Sequence, residues 1–307
     1  MTSPRIGLAL GSGAARGWAH IGVIEALVDA GFEPDIVCGT SMGALVGAAY
    51  VSGRLQQLRE WAEAATWREV IALIDVRISS GGLMEGQLIT KFLRGLGIEK
   101  SIESLSKPYA AVATDLANGR ERWLQSGPIH EAVRASISMP GILSPLRFGD
   151  RWLSDGGLTN PVPVSVCRAL GAELIIAVNL NGDLVGRRFE PDMAELLPGT
   201  QQPVSGDALS RLLSNLPVGL RNQIEPILPR LFPQAELSPG YFDVLANSLN
   251  IMQDHITRTR LAGEPPNILL VPRLHDVGWM EFTRAKELIA EGRACVEQAF
   301  PMLQRLK

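Results

Sequence analysis

Six short strand-like runs punctuate the sequence: Ile6–Leu10, Asp35–Cys38, Ala110–Thr114, Glu121–Leu124, Leu174–Asn179 and Ile268–Val271. Runs of about four to eight residues suit strands, whereas a buried helix needs about ten or more. Segments of helical periodicity lie between them. Trp18–Ala30 sets Ile21, Ile24, Leu27 and Val28 at helical spacing, and Gly31 follows as a C-terminal stop. Met42–Val51 reads as a second helix, with Gly43, Ala44, Gly47 and Ala48 small enough to let it lie close to a sheet. Residues 54–73, 128–137 and 281–299 also read as helices. Strands that alternate with helices predict an α/β protein with a largely parallel sheet.

Composition narrows the function. The 307 residues carry a formal charge of −3, which argues against nucleic acid as a partner. Three cysteines, Cys38, Cys167 and Cys295, are odd in number and far apart, so they form neither a disulfide framework nor a zinc site and suit a reducing compartment. There is no HExxH, Cys/His cluster or DxDxDG loop, so no metal is expected. The apolar run at the N-terminus is only five residues long, too short for a secretory core of about 7–15. No stretch approaches the ~18 apolar residues of a membrane span. A cytoplasmic location is expected, with peripheral contact at the inner membrane left open.

The organisation is expected to be a core over residues 1–182, an insert over 183–245, and a C-terminal strand and helices over 246–307 that complete the same domain. The insert holds 8 of the chain's 20 prolines and an amphipathic run at residues 209–216. It reads as a packed satellite, with a lid, a partner surface or a membrane-facing patch as alternatives.

Three motifs carry chemistry. Gly39-Thr40-Ser41-Met42-Gly43 follows an apolar strand and opens a small-residue helix, the setting of a nucleophile elbow. A serine there stands at a helix N-terminus, where free N–H groups favour developing negative charge. Leu10-Gly11-Ser12-Gly13-Ala14-Ala15-Arg16-Gly17 is a second glycine-rich strand-to-helix loop, able to present N–H groups to a phosphate or an oxyanion. Read as a dinucleotide fingerprint it fails by one place, with Arg16 where the third glycine should be, although Asp35 lies where a ribose-binding acid would. Asp155-Gly156-Gly157 is by itself an ordinary turn, but a serine nucleophile needs a base. His255 or His275 could instead complete a triad in the order Ser, Asp, His.

In this order the motifs resemble those of the patatin-like phospholipases, in the bacterial RssA-type branch related to neuropathy target esterase. The matching residues are Gly13–Gly17 running into His20-Ile21-Gly22-Val23, then Gly39–Gly43, the segment Ala135–Gly141, and Asp155–Gly157. The resemblance implies a three-layer fold with helices on both faces of the sheet. It further implies a serine esterase of phospholipase A or lysophospholipase type, acting on a phospholipid, lysophospholipid or other acyl ester through an acyl-enzyme. Ser41 is the expected nucleophile and Asp155 its base, a dyad without histidine or cofactor. Gly11, Gly13, Ala14, Arg16, Gly17 and Met42 are the expected surroundings of the oxyanion. Gly39, Gly43, Gly156 and Gly157 are the motif glycines. Many members have glycine where this chain has Ala14. The rival readings are a regulatory or scaffold protein on the same fold, and a dinucleotide-binding oxidoreductase using residues 11–17.

Overall fold

The structure, a computed structural model, describes residues 4–73, 85–184 and 241–306. The chain divides into two compact units, Met1–Val185 with Met252–Lys307, and Gly186–Ile251. Most of the expected insert, including the amphipathic run at 209–216, lies outside the described residues.

In chain order the elements run β1 (Ile6–Leu10), α1 (Ala19–Asp29), β2 (Ile36–Thr40), α2 (Met42–Val51), α3 (Leu55–Ala64), α4 (Trp67–Ala72) and α5 (Gln87–Gly95). Then come β3 (Tyr109–Asp115), β4 (Glu121–Leu124), α6 (Ile129–Ser136), β5 (Leu146–Phe148), β6 (Arg151–Asp155), α7 (Val164–Ala169) and β7 (Leu174–Val178). The last are α8 (Tyr241–Gly263), β8 (Ile268–Leu270) and α9 (Ala285–Leu303).

The sheet order is β5-β6-β3-β2-β1-β7-β8, with β4 on β3. Five strands, β3-β2-β1-β7-β8, run parallel, while β4 and β6 pair antiparallel with β3. This is the mixed, mostly parallel α/β architecture that the strand–helix alternation predicts. Alternation along β1 shows why both faces are covered: Leu8 and Leu10 enter one apolar cluster with residues of α1, α2, α6 and α9, and Ala9 enters another with α7. Side chains that point to opposite faces of a strand and are all buried require a layer of helix on each side.

Boundaries follow local chemistry. Gly31, at φ +78°, ends α1, and the N–H groups of Gly31 and Phe32 bond back to the carbonyls of Val28 and Leu27. The sequence reading did not assign α5, the hairpin β5–β6 or α7. Strand β6 reads Arg-Trp-Leu-Ser-Asp, with three of its five residues polar, because it runs from exposed Arg151 and Trp152 to the site at Asp155.

Candidate active site

The parallel strands deliver their loops to one edge of the sheet, where open α/β sheets bind ligands. Strand β2 ends at Thr40, and Ser41 follows with φ +56° and ψ −124°, a strained conformation for a non-glycine residue. The strain is held by the neighbours. A Cβ on Gly39 would collide with the backbone of Gly43 and Ala44, and one on Gly43 would collide with the carbonyl of Leu10, so only glycine lets the turn close. The Thr40 hydroxyl anchors the strand end to the Asn160 carbonyl at 2.8 Å.

Strand β6 runs antiparallel to β3 and places Asp155 opposite Ala113, one residue past the level of Thr40, which pairs with Val112. The Ser41 hydroxyl donates to Asp155 Oδ2 at 2.7 Å. The other carboxylate oxygen, Oδ1, accepts the Gly157 N–H at 2.7 Å, so the Asp-Gly-Gly turn fixes which oxygen faces the serine. Thr114 Oγ1 bonds to the Asp155 carbonyl at 2.8 Å. Gly156 lies tight against the Val112 carbonyl, with no room for a side chain. Ser41 and Asp155 are 5% and 2% exposed. Burial raises the Asp155 carboxyl from 3.8 to about 6, although the hydrogen bonds from Ser41 and Gly157 pull the other way. A carboxylate with that value is ionised at neutral pH and basic enough to accept a proton.

The glycine-rich loop sorts the six residues expected around an oxyanion. The Gly11 N–H bonds to the Val178 carbonyl at 3.0 Å, and the Arg16 N–H to the Gly13 carbonyl at 3.1 Å, so neither is available. The Arg16 guanidinium is buried and returns to the same Gly13 carbonyl through Nε at 3.2 Å, bracing the turn. Gly17 packs against the Met42 side chain at the start of α2. The N–H groups of Gly13 and Ala14 meet no acceptor among the described residues. Ala14 (φ +48°) and Ser41 are the two non-glycine residues of positive φ among the described residues, and both line one cavity. That backbone is what glycine serves better, which is why the departure at Ala14 carries a cost.

The cavity measures about 150 Å³ and is walled by apolar side chains, including Trp18, Leu45, Trp61, Phe92 and Leu143, with Ser41 and Met42 also in its lining. Trp61 and Phe92 meet in a tilted contact, with centroids 4.4 Å apart at 51°.

Several supporting residues escaped the sequence reading. Ser136 accepts the Ser41 N–H at 2.9 Å and donates to the Val112 carbonyl at 2.6 Å, and the Ser138 carbonyl accepts the Asp155 N–H at 2.9 Å. The Ala135–Gly141 segment thus holds both members of the pair; the motif was visible, but its role was not. Gln253 Oε1 on α8 accepts from Ser12 Oγ at 2.9 Å and Asn181 Nδ2 at 3.0 Å, and its amide stands over Gly157. No sequence signal marks it. His20 is fully buried, with Nε2 at 2.7 Å from the Gly11 carbonyl, and burial lowers it to about 4. It is therefore neutral, and it donates through Nε2.

The rival arrangements fare differently. Asp35 accepts the Ile6 N–H at 2.7 Å, at the opposite end of β1 from the glycine-rich loop, so it cannot meet a ribose there. His275 pairs with Asp183 at 3.1 Å, while the Ser41 hydroxyl already has its carboxylate partner. Among the described residues no cluster of His, Cys, Asp and Glu could hold a metal, and no helix is long and apolar enough to cross a membrane.

A serine at a strained elbow, a buried carboxylate on its hydroxyl and a glycine-rich loop define a class of α/β protein, and comparison gives that class its name. The family model for patatin-like phospholipases matches residues 8–168, from β1 through α7, and the chain belongs to that family. Within it, the chain is 36% identical over 333 residues to uncharacterized NTE family proteins of Mycobacterium bovis and Mycobacterium tuberculosis, covering 97% of this chain and 92% of theirs. It is also 34% identical over 201 residues to the human patatin-like phospholipase domain-containing protein 6, which is 63% of this chain and 14% of that longer protein. The solved structure of VipD from Legionella pneumophila superposes over 98% of this chain and 67% of that one, with a TM-score of 0.43 and 12% identity.

Proposed function

We propose that this chain is a serine-dependent lipid acyl hydrolase of phospholipase A or lysophospholipase type. The hydrogen bond from Ser41 Oγ to Asp155 Oδ2 at 2.7 Å, with Ser41 lining an apolar cavity, carries the reading. Ser41 attacks the ester carbonyl carbon while its proton passes to Asp155. The carbonyl oxygen becomes an oxyanion and is received by the N–H groups of Gly13 and Ala14. One such donor is typically worth ~10²–10³ in rate. Asp155 then returns the proton to the departing alcohol, which leaves an acyl group on Ser41. In the second half Asp155 takes a proton from water as its oxygen attacks the acyl carbon, and it returns that proton to Ser41 Oγ as the bond from Oγ to the acyl carbon breaks and the free acid leaves.

The cavity supports an acyl chain as the group bound beside the serine. A phosphate or glycerol hydroxyl placed among Trp18, Leu45 and Phe92 would lose its hydrogen bonds to water with little return, whereas methylenes gain from burial. The polar part of the substrate therefore stays outside. Membership of a phospholipase family agrees with that division.

Hydrolysis of aryl esters of increasing acyl length tests the reading. We expect kcat/KM to rise with chain length until the cavity is filled, and to fall by at least about 10³ in Ser41→Ala. Activity that ignores chain length, or that survives Ser41→Ala, contradicts it.

A further inference from the structure

The site sits beside two hairpin tips that project past it. Strand β3 runs beyond Ala113, the partner of Asp155, to Asp115, and Leu116 follows. Strand β6 returns from Arg151 toward Asp155, so Trp152 lies three residues beyond the carboxylate, about 10 Å at ~3.3 Å per residue. Both tips therefore point away from the catalytic edge in the direction in which the parallel strands run. The two are joined by a hydrogen bond from the Leu116 N–H to the Trp152 carbonyl at 3.0 Å.

What they present is unusual for free surface. Trp152 is 52% exposed and Leu116 49%, and among the described residues no ring packs on Trp152. Arg147 stands directly opposite Trp152 on the same face of the β5–β6 hairpin. Arg120, Arg122, Arg147 and Arg151 are all exposed, against one exposed carboxylate, Asp150, which pairs with Arg151 at 3.4 Å and leaves Arg120, Arg122 and Arg147 as the uncompensated charges among the described residues. The other two carboxylates nearby are turned inward. Asp115 is buried in its own turn, 3.6 Å from Arg151, and Glu121 pairs with Arg260 at 3.3 Å. The local surface is thus cationic in a chain whose formal charge is −3.

We propose that these hairpin tips dock on the surface of a bilayer containing anionic phospholipid, and so turn the mouth of the site toward its substrate. The proposal rests on the lipid hydrolase reading for its purpose, but not for its test. Tryptophan is favoured at the membrane–water boundary because its ring is apolar and its N–H is polar. Arginine adds a planar fork that matches phosphate oxygens, and its stem can lie along the apolar zone while the charge stays in the headgroups. A cationic patch on a chain of net charge −3 also sets orientation, since the rest of the chain is net negative.

Co-sedimentation of the whole chain with vesicles tests this, using Ser41→Ala so that the lipid stays intact. We expect binding to phosphatidylcholine vesicles carrying about 30% phosphatidylglycerol, little binding to phosphatidylcholine alone, and release as salt screens the charges. The triple variant Arg120→Gln/Arg122→Gln/Arg147→Gln and the single variant Trp152→Ser should each lose at least about tenfold in partitioning. In the background with Ser41 intact, both should hydrolyse a water-soluble short-chain ester at the parent rate, which shows that they fold. No binding, equal binding to both vesicle types, or variants that sediment like the parent would each overturn the docking site. A protein partner at the same tips would give the first of these. Vesicle binding with an active Ser41→Ala would instead sink the catalytic reading and leave the docking site standing.

Discussion

Asp155→Asn should separate stability from activity, and the geometry fixes both sign and size. Burial holds the folded carboxyl at about 6, against 3.8 for the free group. Between those values the native protein binds more protons than the unfolded chain, so stability falls as pH rises. The penalty is absent below about 3.8, grows through the interval and is complete once pH has passed about 6. A difference of about 2.2 units at 1.36 kcal/mol each amounts to about 3 kcal/mol. Asparagine keeps the shape and carries no charge, so it removes that penalty. With an unfolding entropy of ~2.1 cal/mol/K per residue over 307 residues, 3 kcal/mol corresponds to a Tm higher by about 5 °C. At about pH 4.5 the same integration leaves about 1 kcal/mol. Paired thermal melts of the parent and Asp155→Asn at the two pH values read this directly, and hydrolysis should be lost in the variant at both. A variant no more stable than the parent at neutral pH, or a gap of equal size at both pH values, would refute the reasoning that burial of this charge is the cost of a competent base.

Other outcomes follow from the same geometry. The parent's kcat/KM should rise about tenfold per pH unit up to about 6 and then level, as Asp155 loses its proton; a flat profile through that range speaks against Asp155 as base. His255→Ala and His275→Ala should keep activity within about threefold, because neither histidine is needed to hold the serine proton; a loss as complete as that of Ser41→Ala in either would restore the triad. Ala14→Gly should stabilise the fold by about 1 kcal/mol in denaturant titration, by relieving the positive φ, and a destabilised variant would contradict that strain. Gln253→Met takes the shared acceptor from Ser12 and Asn181, so kcat should drop by about 10–10² with KM little changed; a rise in KM alone would mean that Gln253 does not position the loop.

What could be read from the sequence was what a local backbone demands. The elbow announces itself because Gly39 and Gly43 are each needed within two residues of Ser41, and the glycine-rich loop because its turn must leave N–H groups unpaired. Strand β1 was expected at its observed limits because it is apolar on both faces. Strand β6 was missed because its residues answer to partners far away: Trp152 faces solvent, and Asp155 is there for a serine 114 residues earlier. The same distance hid Gln253, 241 residues from Ser12, and the hydroxyl of Ser136, 95 residues from the N–H it receives. Gly11 and Arg16 were grouped with the oxyanion donors because spacing alone does not tell which N–H a neighbouring strand or turn has already taken. Only the register of β7 beside β1 shows that Val178 claims one of them.

The central claim is that Asp155 activates Ser41. Labelling of the purified protein with a fluorophosphonate, followed by peptide mapping, tests it without any choice of lipid. The account predicts one modified residue, Ser41, with labelling absent in Ser41→Ala and slowed by at least about 10³ in Asp155→Asn, while His255→Ala and His275→Ala label as the parent does. Labelling of Asp155→Asn at the parent rate, or modification of a different serine, would contradict it.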